Sequence, residues 1–172
     1  SCLIVLGIGH VAGRPVLPQQ KGDRVPPGQR VIEDFPLLHF SEIPDLNREN
    51  WSLRVTGEVE RKLELKWEGF VAIGMVESVS DFHCVTGWSR LDNDWGGVRV
   101  RDVLTRVLPK KSAEYVTFVA ADGYTTSLPV SECQGDDDIL AFRWEGKDLT
   151  KENGGPVRVV IDLQTTSSAS GS

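Results

Sequence analysis

A mixed α+β domain, mainly β with a few short helices, is the fold class this sequence predicts, on three observations. Short segments alternate apolar and polar residues, as in Trp51-Ser52-Leu53-Arg54-Val55-Thr56. Clusters of Gly, Pro, Asn and Asp recur between those segments. The clearest helical stripe is brief, from Val100 to Leu108. Cβ atoms alternate across a strand and wind around a helix, so a period of two marks a half-buried strand and one of about 3.6 an amphipathic helix. Long βαβ alternation, a GxGxxG and a P-loop are all missing, which argues against a doubly wound nucleotide-binding fold.

In chain order, Leu3 to Ala12 is apolar but far short of the ~20 residues that span a bilayer. It has neither a basic leading segment nor a clear cleavage site, so it is read as an arm and not as a signal peptide. Gly13 to Gly28 is rich in Pro, Gly and Gln and continues that arm; Pro26-Pro27 fixes φ and disfavours helix. Trp51, Leu53 and Val55 predict a strand, which Gly57 interrupts. Trp67, Phe70, Val71 and Met75 fall at helical spacing, with Gly69 and Gly74 among them. Val76 to Val85 reads as a strand, followed by a loop dense in Gly, Asn, Asp and Trp.

Val100, Val103, Leu104, Val107 and Leu108 then form the helical stripe, which Pro109 stops. Tyr115 to Ala121 and Tyr124 to Leu128 flank Asp122-Gly123, a two-residue hairpin signal. Pro129 opens a short helix reaching Gln134, and Ile139 to Trp144 is a strand turned by Glu145-Gly146. Asn153-Gly154-Gly155-Pro156 is a loop, and Val157 to Ile161 a short strand. The organisation expected is an extended arm over residues 1–25, one domain over 26–163 and a disordered polar tail over 164–172.

A length of 172 residues allows one substantial core, and 40% apolar with 26% charged residues is ordinary for a globular chain. A net charge of −6 with scattered Lys and Arg argues against nucleic acid, whose phosphates need clustered cations. Three cysteines, Cys2, Cys84 and Cys133, make no CxxC pair and no zinc spacing. So sparse a set suits a reducing, cytoplasmic setting.

Cys84 ends a predicted strand and faces a glycine-rich loop, a place where rigid backbone presents a sulfur. Three readings stand: a buried small hydrophobe, a metal ligand, or a nucleophile. His83 is its neighbour, but adjacent residues on a strand point to opposite faces, which makes His83 a poor base for it. A metal-bound thiolate needs no base, since the metal replaces the proton. His39, in an apolar segment, reads as a packed core histidine. Arg158, on a strand of valines, is either a surface residue or an inward cation that needs an anionic partner. Trp88 and Trp95 either wall a pocket or pin the loop between them. Asp136-Asp137-Asp138 lacks calcium-loop spacing and reads as a solvated turn.

Taken together, several pieces resemble one family. Phe82-His83-Cys84-Val85-Thr86-Gly87-Trp88-Ser89, Leu91-Asp92-Asn93, Trp95 and Gly97-Val98 resemble the sulfite-oxidase-like molybdopterin oxidoreductases, in their small haem-free branch. Pro26-Pro27-Gly28-Gln29, Pro36-Leu37-Leu38-His39, Trp51 to Gly57, Asp122-Gly123-Tyr124-Thr125-Thr126 and Asn153-Gly154-Gly155-Pro156-Val157-Arg158 follow in family order. The cysteine segment is specific, and the flanking pieces reinforce it through their order.

The resemblance implies the sulfite oxidase molybdopterin-binding fold, with Cys84 the single protein thiolate on molybdenum and the dithiolene of molybdopterin supplying the other sulfurs. It implies oxygen-atom transfer on a small sulfite- or sulfoxide-type substrate. Asn153 and Arg158 are implied to hold the pterin, Arg158 through charge-assisted bonds. His39, His83 and Thr86 are further cofactor-binding nominations. No Cys-x-x-Cys-His is present, so no haem is expected and the electron partner is a separate protein.

Two departures stand out. Where the family continues with a Trp-containing segment bearing Ser-x-Lys, this chain reads Gln164-Thr165-Thr166-Ser167; Gly87 also stands where a bulkier residue is common. The alternatives are a cofactor-free binding or scaffold domain of the same fold and a thiol-dependent enzyme with Cys84 as nucleophile.

Overall fold

Two β-sheets share one apolar core in the computed structural model, which describes residues 2–7, 28, 30–33, 45–84 and 88–161, with 2–7, 82–84 and 88–89 described by backbone alone. The first half of the chain gives β1 Cys2–Gly7, β2 Arg30–Val31, β3 Ser52–Gly57, β4 Leu63–Lys66, α1 Trp67–Val71 and β5 Val76–Cys84. The second gives β6 Trp88–Arg99, α2 Val100–Val107, β7 Tyr115–Val119, β8 Thr125–Pro129, β9 Ile139–Trp144, β10 Lys147–Asp148 and β11 Arg158–Val160. Short 3₁₀ turns lie at Val130–Cys133 and Lys151–Asn153. The result is mainly β with few helices, as the sequence predicts.

One sheet runs β4-β3-β1-β7-β8. Its β3 turns Leu53 and Val55 inward while Arg54 faces water, the half-buried alternation read from the sequence. The helix α2 drives Val100, Val103, Leu104 and Val107 into the same core. Around Phe70, the rings of Trp51 and Phe142 pack at centroid distances of 4.8 and 6.0 Å.

The other sheet is built on β6, which pairs antiparallel with β5 and β9, while β9 takes β11 and β10. Its two faces differ. Val98, Leu140 and Phe142, with the partly buried Val157 and Val159, point into the main core. The opposite row, Trp95, Ile139, Ala141 and Val160, makes a smaller cluster with Leu149, Val76 and Trp144. At Gly97 the strands approach so closely that a Cβ would lie 2.4 Å from the Leu140 carbonyl oxygen, so only glycine fits this register shift.

Five expectations change. Trp88–Arg99, read as a loop, is the twelve-residue strand β6. Its alternation is hidden because its inward row holds Asn93 and Gly97, and two register shifts break the period of two. Cys2–Gly7, read as part of an arm, is a strand between β3 and β7, parallel to the first and antiparallel to the second.

The Asp122-Gly123 hairpin is longer than two residues. The turn spans 120–123, Gly123 sits at φ +87°, and Asp122 accepts from the Tyr124 amide, a turn-plus-bulge geometry. Finally, α1 ends before Met75, which is exposed beyond Gly74 at φ +129°. The helix α2 ends one residue early, at Val107, with Leu108 in the left-handed conformation. Among the described residues no helix is long and apolar enough to cross a membrane. The tail expected at 164–172 lies outside the described residues.

Candidate functional site

The smaller face of the β6 sheet collects the polar groups that the main core excludes. Asn93 is fully buried there and uses its whole carboxamide. Its Nδ2 donates to the carbonyls of Ser80 (3.1 Å) and Arg90 (2.8 Å). Its Oδ1 accepts from Trp144 Nε1 at 3.2 Å and from Arg90 Nη1. The Arg90 guanidinium lies 4.6 Å over the Trp144 ring, donates to the Glu33 carbonyl at 2.6 Å and pairs with Glu145 at 3.0 Å. Beside them Ser80 Oγ is buried, in a residue 7% exposed, and has no hydrogen-bond partner among the described residues. Buried polar atoms are seldom left so, which marks this face as one built to meet another polar group.

At the other end of the face stands Arg158. Its Nη1 donates to the Asn153 carbonyl at 3.3 Å, and its guanidinium lies 5.9 Å over the Trp95 ring. The turn that joins the two residues is fixed by backbone. Gly154 takes φ +90°, and a Cβ on Gly155 would meet the Leu149 carbonyl oxygen at 2.4 Å. The half-buried Asn153 carboxamide has no hydrogen-bond partner among the described residues. A guanidinium and a carboxamide are donors that fit a polar, phosphate-bearing group.

Of the residues nominated from sequence, Asn153 and Arg158 are thus brought together. Cys84 ends β5 opposite Trp88, and His83 pairs with Ser89. Along β5, Ser78 and Ser80 are buried on this face, opposite Trp95 and Asn93 of β6. By backbone pairing, Cys84 and Arg158 stand at different levels of the sheet. Arg158 pairs with Ala141, Ala141 with Gly97 and Gly97 with Val76. From Val76 to Cys84 runs on the order of 25 Å of strand. Between those levels the ladder shifts register at Ser80/Phe82, with Asp92 at φ +52° and its amide held by Asp81 Oδ1 at 3.0 Å, and such a shift bends a hairpin. His39 and Thr86 lie outside the described residues.

Trp95 is buried in the smaller cluster, so it anchors the sheet as well as backing Arg158. The acidic run is not simply solvated: Asp138 is buried and accepts from the Gly135 amide at 2.7 Å, Asp137 accepts from Ser78, and Asp136 pairs with Arg101 at 2.5 Å. Among the described residues no group of His, Cys, Asp and Glu is arranged to hold a metal ion. Cys133 is a free, buried thiol whose pKa burial pushes up to about 12, with Asp138 and Glu132 adding to the shift, so it is a poor nucleophile. Sequence reading missed the roles of Arg90, Asn93, Trp144 and Glu145. Asn93 stands inside the quoted motif, yet only the register shift reveals that its carboxamide ties two strands.

A family model described as an oxidoreductase molybdopterin binding domain matches residues 40–168. The chain is 42% identical over 141 residues to the uncharacterized oxidoreductase YuiH of Bacillus subtilis, covering 80% of this chain and 70% of that protein. It is 32% identical over 127 residues to the protein-methionine-sulfoxide reductase catalytic subunit MsrP of Xanthomonas campestris, covering 64% of this chain and 39% of that subunit. The MsrP of Campylobacter jejuni is 26% identical over 134 residues, with 68% of this chain and 45% of that subunit covered. The chain thus spans less than half the length of both reductase subunits. In fold it matches the sulfane dehydrogenase SoxCD of Paracoccus pantotrophus with a TM-score of 0.63 at 21% identity, over 69% of this chain and 35% of that one.

Proposed function

This chain belongs to the molybdopterin-binding oxidoreductases of the sulfite-oxidase-like type, and from that premise we propose that it removes an oxygen atom from a small sulfoxide-type substrate, with Cys84 as the protein's ligand to molybdenum. The observation that carries the reading is the unmet polarity of one sheet face. Ser80 Oγ is buried with no hydrogen-bond partner among the described residues, and the strand pairings lead from Arg158 along β5 to Cys84 at its end. When bound, the molybdenum–molybdopterin group supplies oxygen-atom transfer and a store for electrons.

The chain's own residues have definable tasks. Arg158 would neutralise and orient the pterin's phosphate or ring oxygens, with Trp95 beneath it and the Asn153 carbonyl setting its direction. Asn153 would offer its carboxamide, and His39, His83 and Thr86 are the further residues proposed to bind the cofactor. Cys84 gives a soft, electron-rich thiolate, the ligand type suited to a redox metal already held by sulfur.

A sulfoxide is favoured over sulfite because two of the relatives are methionine-sulfoxide reductases by name. Each turnover takes one oxygen atom from the sulfoxide, two electrons from a separate partner protein and two protons, and releases a thioether and water. No haem of the chain's own takes part. Sparse cysteines, with Cys133 a free thiol, support a reducing, cytoplasmic setting.

The separation of Cys84 from Arg158 along β5 favours one competing reading, a cofactor-free binding domain that keeps the fold. Elemental analysis of protein made in cells that supply the cofactor decides between them. About one molybdenum per chain, lost in Cys84→Ser, is expected, since a tightly held group travels with the folded protein. Metal-free wild-type protein, or Cys84→Ser that keeps its molybdenum, overturns the assignment.

A further inference from the structure

We propose that Asn93 is a positioning residue for Cys84: its buried carboxamide clamps the register shift between Ser80 and Phe82, and the clamp sets the direction in which the β5–β6 tip carries the thiolate. This rests on Cys84 being the molybdenum ligand.

Three segments meet at that carboxamide, and a fourth is tied to it through Arg90. From β5 comes the Ser80 carbonyl, and from β6 the Arg90 carbonyl and guanidinium. From β9 comes the Trp144 indole N–H, while Glu145, beyond it, accepts from Arg90 Nη1 at 3.0 Å and from the Asp94 amide at 3.3 Å. From the segment after β2 comes the Glu33 carbonyl, held by Arg90 Nε. Every donor and acceptor of the Asn93 carboxamide is used, and the residue is fully buried.

The placement matters more than the count. At the register shift the regular ladder between β5 and β6 is interrupted, and Asn93 Nδ2 supplies bonds to main-chain carbonyls on both strands. Beyond it only Phe82–Arg90, His83–Ser89 and Cys84–Trp88 remain paired before the tip. A change in the clamp therefore acts on the strand ends that carry Cys84, while the main core lies on the opposite face of the sheet. Groups that orient a metal's ligand from outside its coordination shell alter the metal's affinity and electronic state without touching it.

The test uses Asn93→Ala, Trp144→Phe and Cys84→Ser, each purified from cells that make the cofactor. Molybdenum per chain, the electron paramagnetic resonance of the one-electron-reduced metal, and Tm are measured. Asn93→Ala is expected to hold molybdenum about tenfold less tightly. Trp144→Phe, which keeps a ring but removes the indole N–H, is expected to stay loaded with a shifted resonance. Wild-type loading with an unshifted resonance in both variants overturns the clamp, and Cys84→Ser without molybdenum would then leave the ligand assignment intact. If Asn93→Ala does not fold, the Trp144→Phe resonance decides alone, a shift supporting the clamp and an unchanged signal overturning it. Molybdenum retained in Cys84→Ser refutes the ligand assignment, and the clamp with it.

Discussion

The two faces of the β6 sheet are made by the same strands and do opposite things. One face sends Val98, Leu140 and Phe142 into a core shared with α2 and the first sheet, where apolar area removed from water stabilises the fold. The other carries Asn93, Ser80, Trp144 and Arg158, polar or amphipathic groups that cost stability when desolvated unless each is paired. A strand of period two can separate these tasks completely, so that changes on one face leave the other nearly untouched.

The sharpest way to break that separation is on the packed face. Phe70→Ala, at a fully buried ring against Trp51 and Phe142, is expected to cost about 3–5 kcal/mol in denaturant unfolding. Whatever fraction still folds should bind cofactor normally. Gly97→Ala comes next, at about 1–3 kcal/mol, because the added carbon meets backbone and not a movable side chain. Lying where the two faces join, it is the substitution that should disturb both stability and loading.

Cys133 gives a smaller, pH-dependent effect. Its folded pKa is raised from 9.0 to about 12, so the unfolded chain loses the proton first. The contribution is intact below pH 9 and is lost as pH rises toward 12, at up to about 1.4 kcal/mol per pH unit. Cys133→Ala should remove that component of the alkaline slope, and in the wild type this thiol should resist alkylation until the chain unfolds. Arg158→Gln should move stability least, by less than about 1 kcal/mol. On the reading proposed above, it should nonetheless weaken cofactor retention about tenfold. A substitution with little structural effect and a large effect on loading would be the clearest sign that the faces are independent.

What the sequence made legible follows the same division. The packed face was readable because apolar periodicity is the signature of a core: β3, β9 and α2 appear within a residue of their predicted bounds. The polar face was not, because its strand hides its period behind Asn93, Gly96 and Gly97. Asp122-Gly123 signalled a hairpin but not its length, since the same dipeptide serves a two-residue turn or a turn with a bulge. The closeness of Asn153 and Arg158, nominated through the resemblance, was legible because the glycine-proline turn joins them locally. The cluster of Arg90, Asn93 and Trp144 was not, because Trp144 reaches the other two only through strand pairing across some fifty residues. Cys2–Gly7 was misread for a related reason: an apolar run at a chain end carries no signal of which strands it will join.

X-ray absorption at the molybdenum edge tests the central claim most directly, by comparing the wild type with Cys84→Ser loaded with as much metal as it accepts. The wild type should show one more sulfur neighbour than the variant. Identical sulfur shells in the two proteins would contradict the assignment of Cys84 as the metal's protein ligand.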